Sequence, residues 1–372
     1  MGSQRPDRRR ACGRPVNAPV TIVRAVRAAA LSDPAERARI DAFVTAHPEG
    51  TPFHLPEWGE ATAAGCGQSF RMLLVEGSNG ALLGLLPLTH VRSPLFGAAL
   101  VSTGFAVGGG VLAIDPAAAQ ALADAAVSLA AELTVPTIEL RGGPAPAGAG
   151  WSFDDTRYLG FVRDLAADDD AELLAVPRKQ RADVRKALAM PFAVAIGRDA
   201  TARSEHFHVY ATSVRNLGTP VFPKRLFAEV LDRFGKRADV LTICHEGVPV
   251  ASVLSLYWRG MVYPYWGGGT AAARGLRANE RMYFELMRHA RAKGCSRFDF
   301  GRSKVGTGPA AYKKNWGFTG EPLGYPTWTA SGAAPRDASP LNPRYRAKIA
   351  AWQKLPLPIA NRIGPWIAKG LG

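Results

Sequence analysis

Residues 298–318, FDFGRSKVGTGPAAYKKNWGF, combine cations, glycines and aromatic rings in a pattern that suits the binding of an anionic group. The cations Arg302, Lys304, Lys313 and Lys314 lie within 13 residues around a glycine-rich turn. Backbone amides in such turns and lysine side chains both attract anions. We therefore predict a site for a phosphorylated or tRNA-linked substrate here, and the alternative is a solvated basic loop.

Trp316 and Tyr312 add flat aromatic surfaces beside the two lysines. Either ring can stack on a substrate, or it can anchor the segment in the hydrophobic core. We include Trp316 among the predicted substrate-binding residues, together with Arg302, Lys304 and Lys314.

Known phosphate-binding motifs do not fit this stretch. Gly301 and Gly306 have the spacing of a Walker loop, but Thr-Gly follows where that motif requires Lys and Ser or Thr. A G-x-G-x-x-G pattern for a dinucleotide is not formed either. Upstream, Ala272 stands where the CoA-binding pattern R/Q-x-x-G-x-G/A of GNAT-type N-acetyltransferases needs Arg or Gln, three residues before Gly275. The glycines therefore do not identify a nucleotide.

A second basic segment, PRKQRADVRKAL, places Arg178, Arg181 and Arg185 at helical spacing. Residues three or four apart share a helix face, and arginines on one face can bind a diphosphate or an RNA backbone. We predict substrate binding by these three arginines, with a solvated helix face as the alternative. His206 and His208 are interpreted as structural, because a pair two residues apart on a helix does not converge on a metal, and no metal site is predicted.

The elements that carry these residues follow one plan in the first half of the chain. RMLLVEG and ALLGLLPLTHV, joined by a Ser-Asn-Gly turn, predict a β-hairpin, and AALVSTGF then leads to the glycine triplet 108–110. A helix follows, with Asp115 as its predicted N-cap and Pro116 at its first position. The strand TIEL completes the unit.

The second half repeats this order. VLTICHEG and VPVASVLSLYW predict a hairpin, and MVYPYW leads to the glycine triplet 267–269. Asn279 is the predicted N-cap of a helix that Gly294 terminates. The strand RFDF then ends at Gly301.

A proline marks the place where the second sheet is expected to open. Pro264 in MVYPYW cannot donate a ladder hydrogen bond, so the strand should be bulged or lie at an edge there. An opened sheet beside glycines admits a ligand, and we predict that Tyr265 and Asn279 border this cleft and bind substrate.

The repeated plan predicts an α/β fold of α+β mixed sheets, built as two tandem lobes. At 372 residues the chain is long enough for two domains. The predicted boundaries are a disordered basic N-terminus at 1–17, a first lobe at 18–165, a second lobe at 166–335 and a basic amphipathic C-terminal tail at 336–372.

The net charge of +15 is concentrated in the tails, with +4 in residues 1–14 and +5 in residues 337–372. The last stretch mixes Trp, Leu and Ile with Lys and Arg, so it can lie on a membrane surface or pack back on the body. Four scattered cysteines without a CxxC pair suit a reducing compartment. With no apolar run of about 18 residues, we predict a cytoplasmic protein, with a peripheral position at the inner membrane as an option.

Several motifs resemble FemAB-type proteins, in particular the subgroup associated with exosortase/PEP-CTERM systems. The resemblance rests on FHLPEWGEA (53–61), LPLTHVRSPLFGAALVSTGFAVGGG (86–110), PRKQRADVRKAL (177–188), SVRNLGTPVFPKRLF (213–227), YPYWGGG (263–269), ANERMYFELMRHA (278–290) and residues 298–318. It implies two tandem GNAT-like acyltransferase lobes, of which the second is similar to the BioF2-like acetyltransferase domain.

FemAB relatives transfer an aminoacyl group from aminoacyl-tRNA to an amine on a peptidoglycan precursor. The resemblance implies an N-acyltransferase that transfers an acyl or aminoacyl group to an amine of a cell-envelope, peptidoglycan or exopolysaccharide precursor. It implies no permanently bound cofactor, with aminoacyl-tRNA or acyl-CoA as the co-substrate. The implied partners are this donor, a lipid-linked or nucleotide-linked envelope precursor, and tRNA. The composition of the C-terminal tail adds a peripheral membrane contact as a further predicted partner.

In the peptidoglycan enzymes, F-K-K-G-F-G lies near the end of the second lobe, and Y-K-K-N-W-G takes its place here, so Lys313 and Lys314 match the paired lysines. A lysine can stabilise the negative charge that develops during acyl transfer. We predict this role for Lys313, and Lys314 should face solvent because neighbours along an extended segment point opposite ways.

Asp299 alternates with Phe298 and Phe300 along a predicted strand and therefore faces away from them. It is the candidate general base for the acceptor amine, or it pairs with an arginine. The alternative to an enzyme is a degenerate transferase that binds an anionic polymer or tRNA without catalysis.

Overall fold

The computed structural model describes residues 23–334, 336 and 346–372, and the predicted basic N-terminus lies outside the described residues. Two β-sheets form the framework. The strands of the first sheet are β1 (Val23–Ala28), β2 (Ser69–Gly77), β3 (Leu82–Ser93), β4 (Gly97–Ser102), β5 (Leu112–Ala113), β6 (Thr137–Leu140), β7 (Trp151–Asp154) and β15 (Tyr325–Thr329). Those of the second are β8 (Tyr158–Asp164), β9 (Ala193–Gly197), β10 (Ala238–His245), β11 (Val248–Trp258), β12 (Met261–Gly269), β13 (Arg297–Lys304) and β14 (Gly320–Pro322).

Helices cover both sheets and fill the space between them. They are α1 (Pro34–Ala46), α2 (Pro56–Cys66), α3 (Pro116–Glu132), α4 (Asp169–Ala175), α5 (Arg178–Ala189), α6 (Ala200–Asn216), α7 (Lys224–Phe234), α8 (Ala271–Leu276), α9 (Ala278–Ala292), α10 (Gly308–Asn315), α11 (Arg346–Gln353) and α12 (Leu357–Ala368). Short 3-10 turns occur at Pro52–His54 and Gly235–Arg237.

Both sheets are mixed, which confirms the predicted fold class. The first runs β1-β2-β3-β4-β6-β15-β7, with β5 also paired to β3, and the second runs β14-β8-β13-β12-β11-β10-β9. In each sheet three successive strands pair antiparallel, a helical crossover follows, and the next strand pairs parallel: β4 with β6, and β12 with β13. The repeat extends further than predicted, because a strand and two helices precede the hairpin in both halves.

Two of the predicted helix signals are confirmed. The Asp115 side chain accepts a hydrogen bond from the amide of Ala118 at 2.8 Å, and Pro116 opens α3. Gly294 follows the end of α9 with φ +81°, a left-handed conformation that suits glycine.

The predicted start of α9 is wrong, because Arg277 and not Asn279 is the N-cap residue. Arg277 adopts a left-handed conformation with φ 58°, and it separates α9 from the short helix α8. Asn279 lies inside the first turn of α9. The sequence signal was ambiguous because an asparagine near a helix start is a common cap.

The stretch 298–318 also differs from its predicted form. The strand β13 continues past Gly301 to Lys304, and residues 308–315 form the helix α10 where an extended basic loop was predicted. Pro309 in the first turn favours this helix, because proline suits that position.

The two sheets exchange strands at their outer ends. The strand β8, which falls in the range predicted for the first lobe, pairs with β13 and β14 of the second sheet. The strand β15, which falls in the range predicted for the second lobe, pairs with β6 and β7 of the first. Each half of the chain therefore completes the sheet of the other.

The C-terminal segment packs back on the body over its described residues. The side chain of Arg215 on α6 donates to the carbonyl of Gln353 at 3.1 Å, and the Gln68 side chain donates to the carbonyl of Lys369 at 2.8 Å. The tail was expected either to lie on a membrane surface or to pack on the body, and one of its faces does pack on the body.

Trp58 on α2 lies at the centre of a core shared by both lobes. Its side chain is completely buried and its indole N–H donates to the carbonyl of Gly104 at 3.0 Å. From the second lobe, Tyr265 and Trp266 approach it at ring-centroid distances of 4.9 and 5.7 Å. Because this core contains side chains from both lobes, it joins them.

Trp58→Ala is expected to lower the free energy of unfolding by about 3–5 kcal/mol, since it leaves a large cavity at the junction of the lobes. Denaturant titration followed by circular dichroism measures the change. Leu174→Ala, at a position that is 61% exposed, is the control and should change the free energy by no more than about 0.5 kcal/mol. Equal stability of both variants would contradict the shared core.

Candidate functional site

The candidate site begins where β12 and β13 separate. The two strands pair only at Met261 with Arg297 and at Val262 with Phe298. On its other side β12 stays paired with β11 as far as Gly269. Within the described residues, β12 from Tyr263 onward has no strand partner on the β13 side, so backbone groups are available to a ligand in the opening.

A bulge at Tyr265 accompanies the opening. Ser255 pairs with Pro264 and Leu254 with Trp266, so Tyr265 is the extra residue in β12. This confirms the bulge predicted from the proline. The Tyr265 hydroxyl donates to the carbonyl of Phe105 at 2.6 Å and so reaches the first lobe. Tyr265 therefore lies at the border of the opening, as predicted.

A second bulge occurs in β13 at the same level. Asp299 pairs with Val162 of β8, and the next pair is Arg302 with Gly160, so two residues of β13 lie opposite one residue of β8. Gly301 has φ +69°, which a residue with a side chain rarely adopts. The bulge turns the carbonyls of Gly301 and Arg302 away from the ladder and makes them available to a side chain.

Lys313 occupies this bulge. Its Nζ donates to the carbonyls of Gly301 and Arg302 at 3.1 and 2.9 Å, and it lies 5.3 and 5.4 Å from the ring centroids of Phe161 and Phe300. Burial lowers the pKa of Lys313 to about 8, although Asp299 acts in the opposite direction. The amine is therefore mostly protonated near neutral pH and can donate a further hydrogen bond.

Asp299 is the carboxylate whose negative charge acts on Lys313. One carboxylate oxygen accepts the amide of Gly301 at 2.8 Å. Burial raises the pKa of Asp299 to about 6, while the Gly301 amide and the charge of Lys313 oppose the rise. In the described part of the chain no salt bridge reaches this carboxylate, so the pairing with an arginine that was the alternative is not formed. A carboxylate with this pKa suits a general base near neutral pH.

Arg302 extends the site towards the first lobe. Its guanidinium lies 4.6 Å from the ring centroid of Tyr158 and donates to the Tyr325 hydroxyl at 3.1 Å. The Tyr325 hydroxyl donates in turn to the carbonyl of Val107 at 2.6 Å. Lys304 lies 5.9 Å from the same Tyr158 ring. The two predicted cations therefore share one aromatic wall between the lobes.

The sequence prediction missed the residues that build this wall. Tyr158 and Tyr325 lie on the exchanged strands, and nothing in the linear sequence brings them together. Arg141 is buried, and it bonds Glu139 at 2.8 Å. In the sequence, Arg141 and two glycines follow the strand TIEL directly, and Gly301 and Arg302 follow the strand RFDF at the corresponding place in the second half.

Two polar groups near the opening lack protein partners within the described residues. They are Oδ1 of Asn279 and Oγ of Ser303, which is buried in β13 beyond its last pair with β12. The Asn279 oxygen lies 2.7 Å from the position that a Cβ on Gly269 would take, at the end of β12. Both atoms are buried, and a buried polar atom without a partner costs free energy.

The remaining predicted substrate-binding residues are divided between surface and core. Arg178 and Arg185 are exposed on α5, whereas Arg181 donates to the carbonyls of Val176 and Leu174 at 3.0 and 2.9 Å. The structure therefore leaves two of the three arginines available to an anion.

Lys314 and Trp316, which follow Lys313 at the C-terminal end of α10, also differ in their exposure. Lys314 is exposed, as predicted, although a helix and not an extended segment separates its direction from that of Lys313. Trp316 is completely buried and packs in the core with Tyr283 at a centroid distance of 6.2 Å. It acts as the aromatic anchor that was the alternative to substrate stacking.

A potential metal site is not evident in the described residues, where no three His, Cys, Asp or Glu side chains are arranged to hold an ion. His206 on α6 is buried, and its Nδ1 lies 3.0 Å from the Ser252 hydroxyl. Burial lowers the pKa of His206 to about 3, so this side chain is neutral and structural.

The corresponding opening in the first lobe is filled by its own backbone. Arg141, at the end of β6, donates to the carbonyls of Thr103 and Ala106 at 3.3 and 2.7 Å. Gly110 lies so close to the chain that a Cβ there would be 1.9 Å from the carbonyl oxygen of Gly142. Residues 103–111 therefore lie between the diverging parallel strands of the first lobe, whereas β12 and β13 of the second lobe separate after two residue pairs.

Comparison with protein families identifies one domain in this chain. Residues 175–314 match the family model described as an acetyltransferase (GNAT) domain. No curated protein matches the chain in sequence. The matched segment contains β12, β13 and Lys313, so it covers the lobe with the open cleft.

Solved structures share the two-lobed fold at low sequence identity. The crystal structure of FemX is 16% identical, with a TM-score of 0.63, covering 84% of this chain and 98% of that one. A tandem GNAT protein from the clavulanic acid biosynthesis pathway is 13% identical, with a TM-score of 0.52, covering 83% and 99%. The C-terminal domain of a putative lysylphosphatidylglycerol synthetase from Agrobacterium fabrum is 12% identical, with a TM-score of 0.52, covering 79% and 92%.

Together the domain match and the fold support the predicted enzyme class, an N-acyltransferase with a FemAB-like or GNAT-like architecture. A GNAT domain also supports an acyl donor as co-substrate.

Lys313→Met is expected to raise the pKa of Asp299 above its value of about 6, because the cation that opposes the effect of burial is removed. Carbon-detected NMR of labelled aspartate carboxyls measures this pKa. Lys314→Met is the matched control and should leave it unchanged, since Lys314 is exposed on the same helix. A pKa that does not move in the Lys313 variant would show that the two groups are not coupled.

Proposed function

We propose that the protein transfers an acyl or aminoacyl group to an amine of a cell-envelope, peptidoglycan or exopolysaccharide precursor, and that the reaction occurs in the cleft between β12 and β13. The observation that carries the proposal is the position of Lys313. Its ammonium group is fixed on the carbonyls of Gly301 and Arg302, beside Asp299, in the lobe that matches the acetyltransferase domain.

The two titratable groups supply a base for the acceptor nitrogen and a positive charge beside the leaving atom. The acceptor nitrogen attacks the carbonyl carbon of the donor, and Asp299 takes the proton that the nitrogen loses. The bond to the leaving sulfur or oxygen then breaks, and the Lys313 ammonium stabilises the negative charge on that atom. A pKa of about 6 for Asp299 and about 8 for Lys313 keeps each group in the required form near neutral pH.

Charges around the cleft suit an anionic substrate. Arg302 and Lys304 line the wall between the lobes, and Arg178 and Arg185 are exposed on α5. These cations support binding of a phosphate or diphosphate on the acceptor or on the donor. Both aminoacyl-tRNA and acyl-CoA carry such groups, and both remain donors within the proposal.

The donor-binding pattern departs from that of acyl-CoA enzymes in one respect. Ala272 on α8 stands where the GNAT pattern has Arg or Gln, so this side chain offers no contact to a pyrophosphate. This departure favours aminoacyl-tRNA over acyl-CoA. It also supports the alternative function, a degenerate transferase that binds tRNA or another anionic polymer without transferring a group.

A cytoplasmic location, where charged tRNA and CoA thioesters are both present, belongs to the same proposal. None of the helices in the described part of the chain combines the length and apolar character that a bilayer span requires.

Lys313→Ala is expected to lower kcat about 100-fold or more, since removal of a preorganised charge donor has effects of this size. The assay incubates the purified protein with labelled aminoacyl-tRNA or acyl-CoA and with lipid-linked or nucleotide-linked sugar precursors. Lys314→Ala is the control and should retain activity. Undiminished turnover by the Lys313 variant would exclude its role, and no consumption of any donor by the unaltered protein would favour the binding function.

Asp299→Asn is expected to remove the rise in kcat that the unaltered enzyme shows as the pH increases through about 6. Only the ionised carboxylate accepts a proton, so activity should fall below this pH, and an amide has no such transition. The pH profile of both proteins measures the effect. An identical acid limb in the variant would assign the base to another group.

The same substitution has an opposite signature in stability. The pKa of Asp299 is higher in the folded state, so the unaltered protein loses unfolding free energy as the pH rises from about 4 to 6, because the folded state keeps the proton longer. Asp299→Asn lacks this loss, so its stability relative to the unaltered protein should increase over that interval.

A further inference from the structure

Helix α12 exposes three large apolar side chains. Its fully buried positions are the small residues Ala360, Gly364 and Ala368, and Leu357 packs partly against the core. Ile359, Ile363 and Trp366 face solvent, at 45%, 42% and 50% exposure. A surface helix normally buries its large apolar side chains, so this stripe is available to something outside the protein.

The contacts on the buried side hold the helix in this orientation. A Cβ on Gly364 would lie 3.0 Å from the backbone nitrogen of Val221, so a larger residue does not fit there. Beyond the helix, the Lys369 carbonyl accepts a hydrogen bond from the Gln68 side chain, and Arg336 donates to the carbonyl of Gly372 at 3.2 Å. The helix therefore cannot rotate to bury its isoleucines without breaking these contacts.

Cations flank the apolar stripe. Arg362 is exposed between Ile359 and Ile363, and Lys354 is exposed just before the helix. The described segment 346–372 contains basic residues and neither Asp nor Glu. The combination of protruding apolar side chains with positive charge complements a surface that is both apolar and anionic.

We propose that the face of α12 formed by Ile359, Ile363 and Trp366 docks the protein on an anionic lipid bilayer, with Arg362 and Lys354 at the level of the headgroups. Interfacial helices combine an apolar face with Lys and Arg in this way. An RNA backbone would meet the cations but would leave the isoleucines in water. A second copy of the chain would place identical cationic surfaces against each other.

The chain that follows α12 packs beside the cleft. A Cβ on Gly372 would lie 2.6 Å from the Phe105 ring, and the Phe105 carbonyl accepts the hydroxyl of Tyr265. These contacts lie on the packed side of the segment, so the docking proposal does not rest on the proposed transfer reaction.

The test is co-sedimentation of the full chain with vesicles of phosphatidylglycerol and phosphatidylcholine. We expect binding that weakens with salt and is at least tenfold weaker on vesicles of phosphatidylcholine alone. A variant with Ile359→Ser, Ile363→Ser and Trp366→Ser should lose at least tenfold in affinity for the anionic vesicles. Circular dichroism and thermal melting establish that the variant is folded.

A matched variant carries Leu174→Ser, Val194→Ser and Ile196→Ser, at exposed apolar positions elsewhere, and should bind as the unaltered protein does. Absence of vesicle binding by the unaltered protein, or equal loss in both variants, would overturn the proposal. Sedimentation equilibrium adds a further outcome, since a dimer that the α12 variant dissociates, without vesicle binding, would assign the face to self-association instead.

Lys313→Met separates this proposal from the proposed function. It should bind anionic vesicles as tightly as the unaltered protein, because Lys313 lies in the β13 bulge and not on α12. Vesicle binding with no transferase activity in any assay would reject the function and keep the docking surface. Transfer activity without vesicle binding would do the reverse.

Discussion

The separation of β12 and β13 after two residue pairs is the constraint on which the site depends. Parallel strands that diverge leave backbone groups without partners, and each unpaired group must be satisfied by a side chain, by water or by a ligand. On the β13 side a bulge presents two carbonyls, and Lys313 satisfies them. On the β12 side a bulge directs Tyr265 to the first lobe. The lysine thus owes its fixed position to a defect in the sheet.

The two lobes show how one architecture serves two purposes. In the first lobe, Arg141 at the end of the parallel strand binds the carbonyls of residues 103 and 106 and holds the connecting loop in the opening. In the second, Arg302 occupies the corresponding exit but stacks on Tyr158 and bonds Tyr325, so the opening stays clear. The first lobe contributes one wall beside the opening, and the second contributes Lys313 and Asp299. Arg141 bonds the loop within its own lobe, whereas Arg302 contacts Tyr158 and Tyr325 at the boundary between the lobes. These different contacts account for much of the difference between the two openings.

The fold was largely predictable from sequence, because turns, caps and glycine triplets are local signals that recur in both halves. Lys313 was identified as a candidate because its motif is contiguous in the sequence. The wall formed by Tyr158 and Tyr325 was not, because these residues are far apart in sequence and meet only through the exchanged strands. The prediction of Asn279 as the N-cap of α9 was wrong, because an asparagine beside a helix start satisfies the cap pattern equally well. Trp316 was assigned to substrate because composition does not distinguish a buried ring from an exposed one.

The exchanged strands have a consequence for how the protein is made. The first sheet receives β15, at residues 325–329, between β6 and β7. During synthesis, a ribosome has therefore translated nearly the whole second lobe before the first sheet gains its penultimate strand. Until then β6 and β7 have no strand between them, and their exposed edges are open to pairing with other nascent chains. The emerging first lobe thus requires protection, by a chaperone or by rapid translation, for the interval that separates the synthesis of β7 from that of β15.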